Sequence, residues 1–330
     1  MNPKSILNLF SVLVLFFSFS YVFPIIVSII FKDGALDIFI KTFLTVSSLG
    51  VLGLLATRNI KNELSQKDGF VIIVMFWLIL SIAGSVPFYL SGMSVMDSFF
   101  ESMSGITTTG ATVISQIDAL PESILFYRQL LQWMGGMGLI VLAIAVMPLL
   151  GIGGGQIYKT EIPGAMGEQR LTPRIKETAQ ALWLIYLGLT IVCSLLYFLG
   201  GMSIFDAIAH SMSTVAIGGF STHNESIGFF DSNFIEIVCI FFMLLSAISF
   251  ALHYFSFYKR KPLKYFYDPE LKFFISVLLL IFFIAILISR LNSAESSPNI
   301  LEIAFHSVSM VTTTGFSVTE TNNWPMSLSF

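Results

Sequence analysis

Asp97 to Thr112 reads DSFFESMSGITTTGAT, Asp206 to Ser221 reads DAIAHSMSTVAIGGFS, and Glu302 to Ser317 reads EIAFHSVSMVTTTGFS. The three stretches align without a gap. Each opens on a carboxylate and reaches a glycine thirteen residues later, at Gly110, Gly219 and Gly315. Self-similarity held at one register marks a repeated structural unit. The residues after each acid predict a short amphipathic helix, with the carboxylate in the first turn where the helix dipole is positive. Such a helix is too short to cross a bilayer, which takes roughly 20 residues. A turn of small residues follows, then a polar stretch, then a long apolar run. A lone TTTG reads as a surface loop or a helix cap; three copies in one register, each between apolar runs, outline pore-loop units.

The composition around these repeats suits a membrane. Of the 330 residues 55% are hydrophobic and 11% charged, where an ordinary soluble domain carries about a quarter charged residues. Seven stretches read as spans: Ile6–Ile30, Ile38–Ala56, Gly69–Leu90, Ile124–Leu150, Ala181–Leu199, Phe234–Phe257 and Phe273–Ser289. The first is too long for a signal peptide and shows no small-residue cleavage pattern. Cys193 and Cys239 both lie inside apolar runs, so neither a disulfide framework nor a metal site is expected.

Loop charges orient the chain. With a cytoplasmic N-terminus and re-entrant short helices, the inner side collects Lys4, Arg58, Lys61, Lys67, Lys159, Arg170, Arg174, Lys176, Lys259, Arg260, Lys261, Lys264 and Lys272. The outer side has Lys32, Lys41, Arg128 and Arg290, the asymmetry of the positive-inside rule. Acids lean outward, among them Asp97, Glu101, Asp118, Glu122, Asp206, Glu225, Asp231, Glu236, Glu295, Glu302 and Glu320. A mouth of that sign concentrates cations.

A dehydrated monovalent cation needs several oxygens at once, and backbone carbonyls supply them without a fixed charge that would trap it. Such carbonyls are available at Thr107–Gly110, Ala216–Gly219 and Thr312–Gly315, with glycine permitting the backbone angles that turn them toward an axis. The short helix points its negative C-terminal end at the same place.

ESMSGITTTGAT at Glu101–Thr112, FYRQLLQWMGGMG at Phe126–Gly138, AIGGFSTH at Ala216–His223 and TTTGFS at Thr312–Ser317 resemble the Trk, Ktr and HKT potassium transporter superfamily. Within it they are most similar to the membrane subunit of the bacterial Trk system, since two spans precede the first pore unit. The resemblance implies an all-α polytopic membrane protein with pore-loop units around a pseudo-fourfold pore. It also implies a multi-pass homodimer in the bacterial inner membrane, lipid contact, and a cytosolic nucleotide-binding regulatory subunit as partner. Nucleic acid is not expected as a partner. K+ is the implied transported ion, with no bound organic cofactor. The ion-coordinating residues carried over by position are Thr108, Thr109 and Gly110, Ile217, Gly218 and Gly219, and Thr313, Thr314 and Gly315.

On this reading residues 1–68 form two N-terminal helices, 69–158 the first pore-loop unit and 159–178 a cytoplasmic linker. Residues 179–262 form the second unit and 263–330 an incomplete third. The family has four units, so the expectation is a C-terminally truncated chain, and a non-conducting fragment competes with a working transporter.

Several residues carry alternative readings. His210 and His306 share the register of Glu101, which favours a structural contact behind the filter over a proton or metal role. MGGMG at Met134–Gly138 reads as close helix packing rather than a hinge. Arg128 is expected to repel cations, to bridge to a carboxylate such as Glu122, or to snorkel. The loop Gly151–Thr178 reads as a cytoplasmic contact surface and Lys259–Lys264 as a basic cluster near lipid. An intramembrane enzyme would need a nucleophile beside a base, yet His210 and Ser211 are adjacent on a helix and point to different sides. The chain is therefore expected not to be an enzyme.

Overall fold

The computed structural model describes residues 3–58, 66–138, 175–254, 256, 263–291 and 298–319. Every regular element among the described residues is helical. The first apolar run forms α1 (Pro3–Ser18) and α2 (Val22–Phe31), joined by a 3-10 turn at Phe19–Tyr21. Pro24 accounts for that tightening: it brings no N–H to the Ser20 carbonyl, and the preceding turn adjusts. α3 (Leu36–Thr57) returns alongside α1. Asp33, in the intervening loop, accepts hydrogen bonds from Ser28 Oγ, Ala35 N and Ser123 N, so it ties this helical pair to the body of the protein.

Beyond them the chain repeats one motif. α4 (Gln66–Leu90) leads to the short α5 (Val95–Ile106), which packs against it, and α6 (Glu122–Gly136) follows. α7 (Ile175–Leu199), α8 (Ile204–Val215) and α9 (Asn233–Ala247) repeat the pattern. After the short α10 (Phe250–His253) and α11 (Lys264–Tyr267), α12 (Pro269–Leu291) and α13 (Ile300–Val311) begin it a third time. α6 packs not only on α5 of its own unit but also on α8 of the next, and α9 likewise packs on α13. In the first two units the second helix therefore backs the next unit's short helix.

Among the described residues four helices are long and apolar enough to cross a membrane: Lys4–Phe31, Leu36–Thr57, Gln180–Leu199 and Pro269–Leu291. The outward faces agree, with Phe273, Leu280, Phe283 and Leu287 on α12 all exposed. Lipid solvates such surface; water would not.

One expected span differs from what the chain forms. Phe234–Phe257 is not one rod, because the helix stops at Ala247 and Ile248 turns extended at φ −74°, ψ 140°. The Leu245 carbonyl accepts from Ile248 N at 3.3 Å, and His253 Nε2 lies 2.8 Å from it. The expected span Ile124–Leu150 is helical to Gly136, and its residues 139–150 lie outside the described residues. Also outside them lie most of Gly151–Thr178, most of the basic cluster 259–264, and the third unit from residue 320 onward.

Candidate cation pathway

The short helices begin alike because their sequences cap alike. Ser94, Ser203 and Asn299 each accept a hydrogen bond from the backbone N–H three residues on, at Asp97, Asp206 and Glu302. In α13 the Glu302 carboxylate bonds back to the Asn299 N–H, a complete capping box. The helices also end alike. Thr108, Ile217 and Thr313 donate from N–H to the carbonyls of Gly105, Thr214 and Met310, all at 3.0 Å. Thr109, Gly218 and Thr314 donate to Ser104, Ser213 and Ser309.

These bonds fold each turn into an unusual backbone. Thr108, Ile217 and Thr313 are left-handed at φ 55°, 50° and 61°, and two residues later Gly110, Gly219 and Gly315 are left-handed at 79°, 79° and 84°. The residue between them is not. Glycine tolerates this region, whereas a β-branched residue there is strained by about 1–2 kcal/mol. Positive-φ residues set at every second position turn successive carbonyls toward one side of the strand, which an ordinary strand, alternating its carbonyls, cannot do.

The three turns meet at one level. A Cβ placed on Gly110 would lie 2.2 Å from the Gly218 carbonyl oxygen and 3.4 Å from that of Thr314; one on Gly219 would lie 1.9 Å from Thr314 O. None of the described residues lies within 4 Å of a Cβ placed on Gly315. All nine residues carried over by position thus belong to these abutting turns. Thr109, Thr313 and Gly315 are exposed, while Gly218 and Thr314 are buried. The negative ends of α5, α8 and α13 converge on the turns, a field that favours a cation.

Behind the turns lies a buried polar layer. Arg128 and Glu101 are both fully buried and paired at 2.8 Å. The guanidinium also donates to the Ser221 carbonyl at 3.1 Å and to Thr112 Oγ1 at 3.2 Å, and stacks 4.2 Å from the centre of the Phe220 ring. Thr112 Oγ1 donates to the Glu101 carboxylate, as does Val113 N. Arg128 therefore neither snorkels nor pairs with Glu122, and Glu101 does not belong to an outer rim. The two clamp the strand after the first turn to the strand after the second. In the second unit His210 takes the register of Glu101, and its Nε2 lies 2.9 Å from Ser221 Oγ, the register partner of Thr112. That is the structural contact expected of it; His306 is buried in the same position of the third unit.

The MGGMG glycines serve packing. A Cβ on Gly135 would fall 1.9 Å from the Ile106 carbonyl oxygen, and one on Gly136 would meet Tyr186 Oη at 2.6 Å.

The loops that follow the turns pass from unit to unit in the same sense as the helices. Ile117 N donates to Asn224 Oδ1 and Asn224 N to Asp118 Oδ2. One unit further on, Gly228 N donates to Ser317 O and Ser317 N to Ser226 Oγ. His223 joins the first clasp, its Nδ1 2.9 Å from Asp118 and its Nε2 3.4 Å from Asp206, with the Phe229 ring stacked at 3.5 Å. Burial disfavours the charged ring, but the two carboxylates outweigh it and raise the His223 pKa above 6.5. Burial likewise opposes charge on Asp118, and bonds from His223 and Asn224 hold it below the usual carboxylate range.

Comparison with known proteins decides the family. A family model for cation transport proteins, TrkH, matches residues 35–330. The Trk system potassium uptake protein TrkH of Halomonas elongata is 46% identical over 336 residues, covering 100% of this chain and 69% of that protein. TrkG of Escherichia coli K12 is 39% identical over 317 residues, covering 95% of this chain and 65% of the relative. The crystal structure of the potassium transporter TrkH from Vibrio parahaemolyticus superposes with a TM-score of 0.86 at 44% identity, covering 98% of this chain and 68% of that one. The chain belongs to the TrkH family. Its all-helical architecture of repeated pore-loop units is that of TrkH, and the family is one of transporters rather than enzymes. Sequence reasoning named Thr108, Ile217 and Thr313 but not their left-handed backbone, and as a partner for Arg128 it named a carboxylate such as Glu122 rather than Glu101.

Arg128→Met should cost about 3–5 kcal/mol, because Glu101 is left charged and buried, and the double variant Glu101→Leu/Arg128→Met should recover part of that loss. Melting of the purified variants checks it. For His223 a raised folded pKa means stability that is fully present below about pH 6.5 and lost as pH rises through the folded value. His223→Gln should therefore lower Tm at pH 6 and change it little at pH 9.

Proposed function

We propose that this chain mediates potassium uptake across the bacterial inner membrane, with K+ passing between the backbone carbonyls of Thr108–Gly110, Ile217–Gly219 and Thr313–Gly315. The carrying observation is the pair of positive-φ residues, two positions apart, that recurs at one register in three turns that abut one another. A carbonyl cage replaces hydration oxygens without binding too tightly to release, and the converging helix ends lower the cost of the bare charge. The names of the relatives, Trk system potassium uptake proteins, support the choice of ion. The same relationship supports a homodimer, a cytoplasmic N-terminus and a cytosolic nucleotide-binding subunit that completes the Trk system. In this reading K+ is cargo, and the division into units at 69–158, 179–262 and 263–330 follows the filter turns.

The polar groups that an enzyme would need are already engaged in structure. His210 is bonded to Ser221 and to the Asp206 carbonyl, and Ser211 Oγ donates to Ile208 O.

Uptake of Rb+ by a potassium-uptake-deficient bacterium tests the reading. Cells expressing the whole open reading frame should accumulate Rb+, and Gly219→Ala and Gly110→Ala should abolish uptake, since each added Cβ strikes a carbonyl of the neighbouring turn. Unchanged uptake by both variants, or none with the unaltered protein, would contradict it.

A further inference from the structure

The three filter turns share a backbone but not the side chains that hold it. In the first, Thr107 and Thr109 join hydroxyls at 2.8 Å, and Ser104 Oγ donates to the Ala111 carbonyl. In the third, Thr312 and Thr314 do the same at 2.7 Å, and Ser309 Oγ donates to Phe316 O at 2.8 Å. Both turns are therefore braced by their own residues. The second turn places Ala216 and Gly218 where the others have threonines, so no hydroxyl pair can form.

Gln132 occupies that place from another unit. It lies on α6 of the first unit, fully buried, and its amide spans the second turn. Its Oε1 accepts from Ser213 Oγ at 2.7 Å and from Phe220 N at 3.1 Å, and its Nε2 donates to the Gly218 carbonyl at 2.5 Å. The Phe220 N–H is an obligate donor, so the amide orientation follows from chemistry. Ser213 is the register partner of Ser104 and Ser309, and here it gives its proton to Gln132 instead of to the strand. The absent side chain at Gly218 is what admits the amide: a Cβ there would lie 2.4 Å from Gln132 Cδ.

We infer that Gln132 is a positioning residue for the second filter turn, one that replaces from outside the hydroxyl pair that braces the first and third. Gly218 and Gln132 are thus a complementary pair, and the geometry of the second turn depends on a residue of the first unit. Selectivity for K+ then depends on Gln132 although it need not touch the ion. This rests on the reading of the turns as a potassium filter.

The test uses the whole open reading frame in the uptake-deficient host and reads the ratio of Rb+ to Na+ uptake, with protein level and Tm measured alongside. Gln132→Ala should lower the ratio about tenfold, the scale of one net hydrogen bond lost. Gln132→Glu should lower it too, because it keeps the acceptor but turns an oxygen toward the Gly218 carbonyl. Gly218→Thr alone should be defective through its clash with Gln132. The decisive variant is Gln132→Ala/Ala216→Thr/Gly218→Thr, which rebuilds the internal hydroxyl pair and should restore most of the ratio. An unaltered ratio in Gln132→Ala, or a triple variant no more selective than Gln132→Ala, would overturn the assignment while leaving the filter reading intact. Failure of the unaltered protein to take up Rb+ would instead sink the filter reading, and this inference with it.

Discussion

Backbone that leaves the helix at membrane depth must find hydrogen bonds within the protein, because lipid offers none. Three turns face that constraint here, and each is strained further by a β-branched residue in the left-handed region. The remainder of the structure can be read as the means of holding them. The short helices supply two backbone bonds to each turn, serine and threonine hydroxyls brace two of them, and Gln132 braces the third.

A second consequence is the directional way in which the units depend on one another. α6 backs α8, α9 backs α13, the Ile117–Asp118 loop clasps Asn224, and the Ser226–Gly228 loop clasps Ser317. The Arg128–Glu101 pair does the same at the centre, joining strands that follow consecutive turns. A perturbation in one unit therefore reaches its neighbour through buried polar bonds. Removing one charge of that pair strands the other in a low-dielectric interior, where the penalty is largest.

The repeat, the short helices and the turns that end them were legible in the sequence because acid and glycine recur at a fixed spacing and apolar runs separate them. The role of Thr108, Ile217 and Thr313 was not, since β-branched residues ordinarily avoid φ > 0 and the strain was assigned to glycine alone. The partner of Arg128 lies 27 residues away on another helix, a distance that only packing resolves. The break after Ala247 is hidden because apolar residues continue through Ile248, and the contact of His253 with the Leu245 carbonyl is made only by packing. One signal was present and unused: Ala216 and Gly218 interrupt a register that is otherwise threonine, which asks what else braces that turn.

The central claim is that the three turns together form a coordination site for a dehydrated monovalent cation. Anomalous diffraction from crystals of the full-length protein grown in Rb+ addresses it directly. Peaks between the carbonyls of Thr108–Gly110, Ile217–Gly219 and Thr313–Gly315 are predicted, and they should be lost when Na+ replaces Rb+. Rb+ density located elsewhere, with none among these turns, would contradict the account.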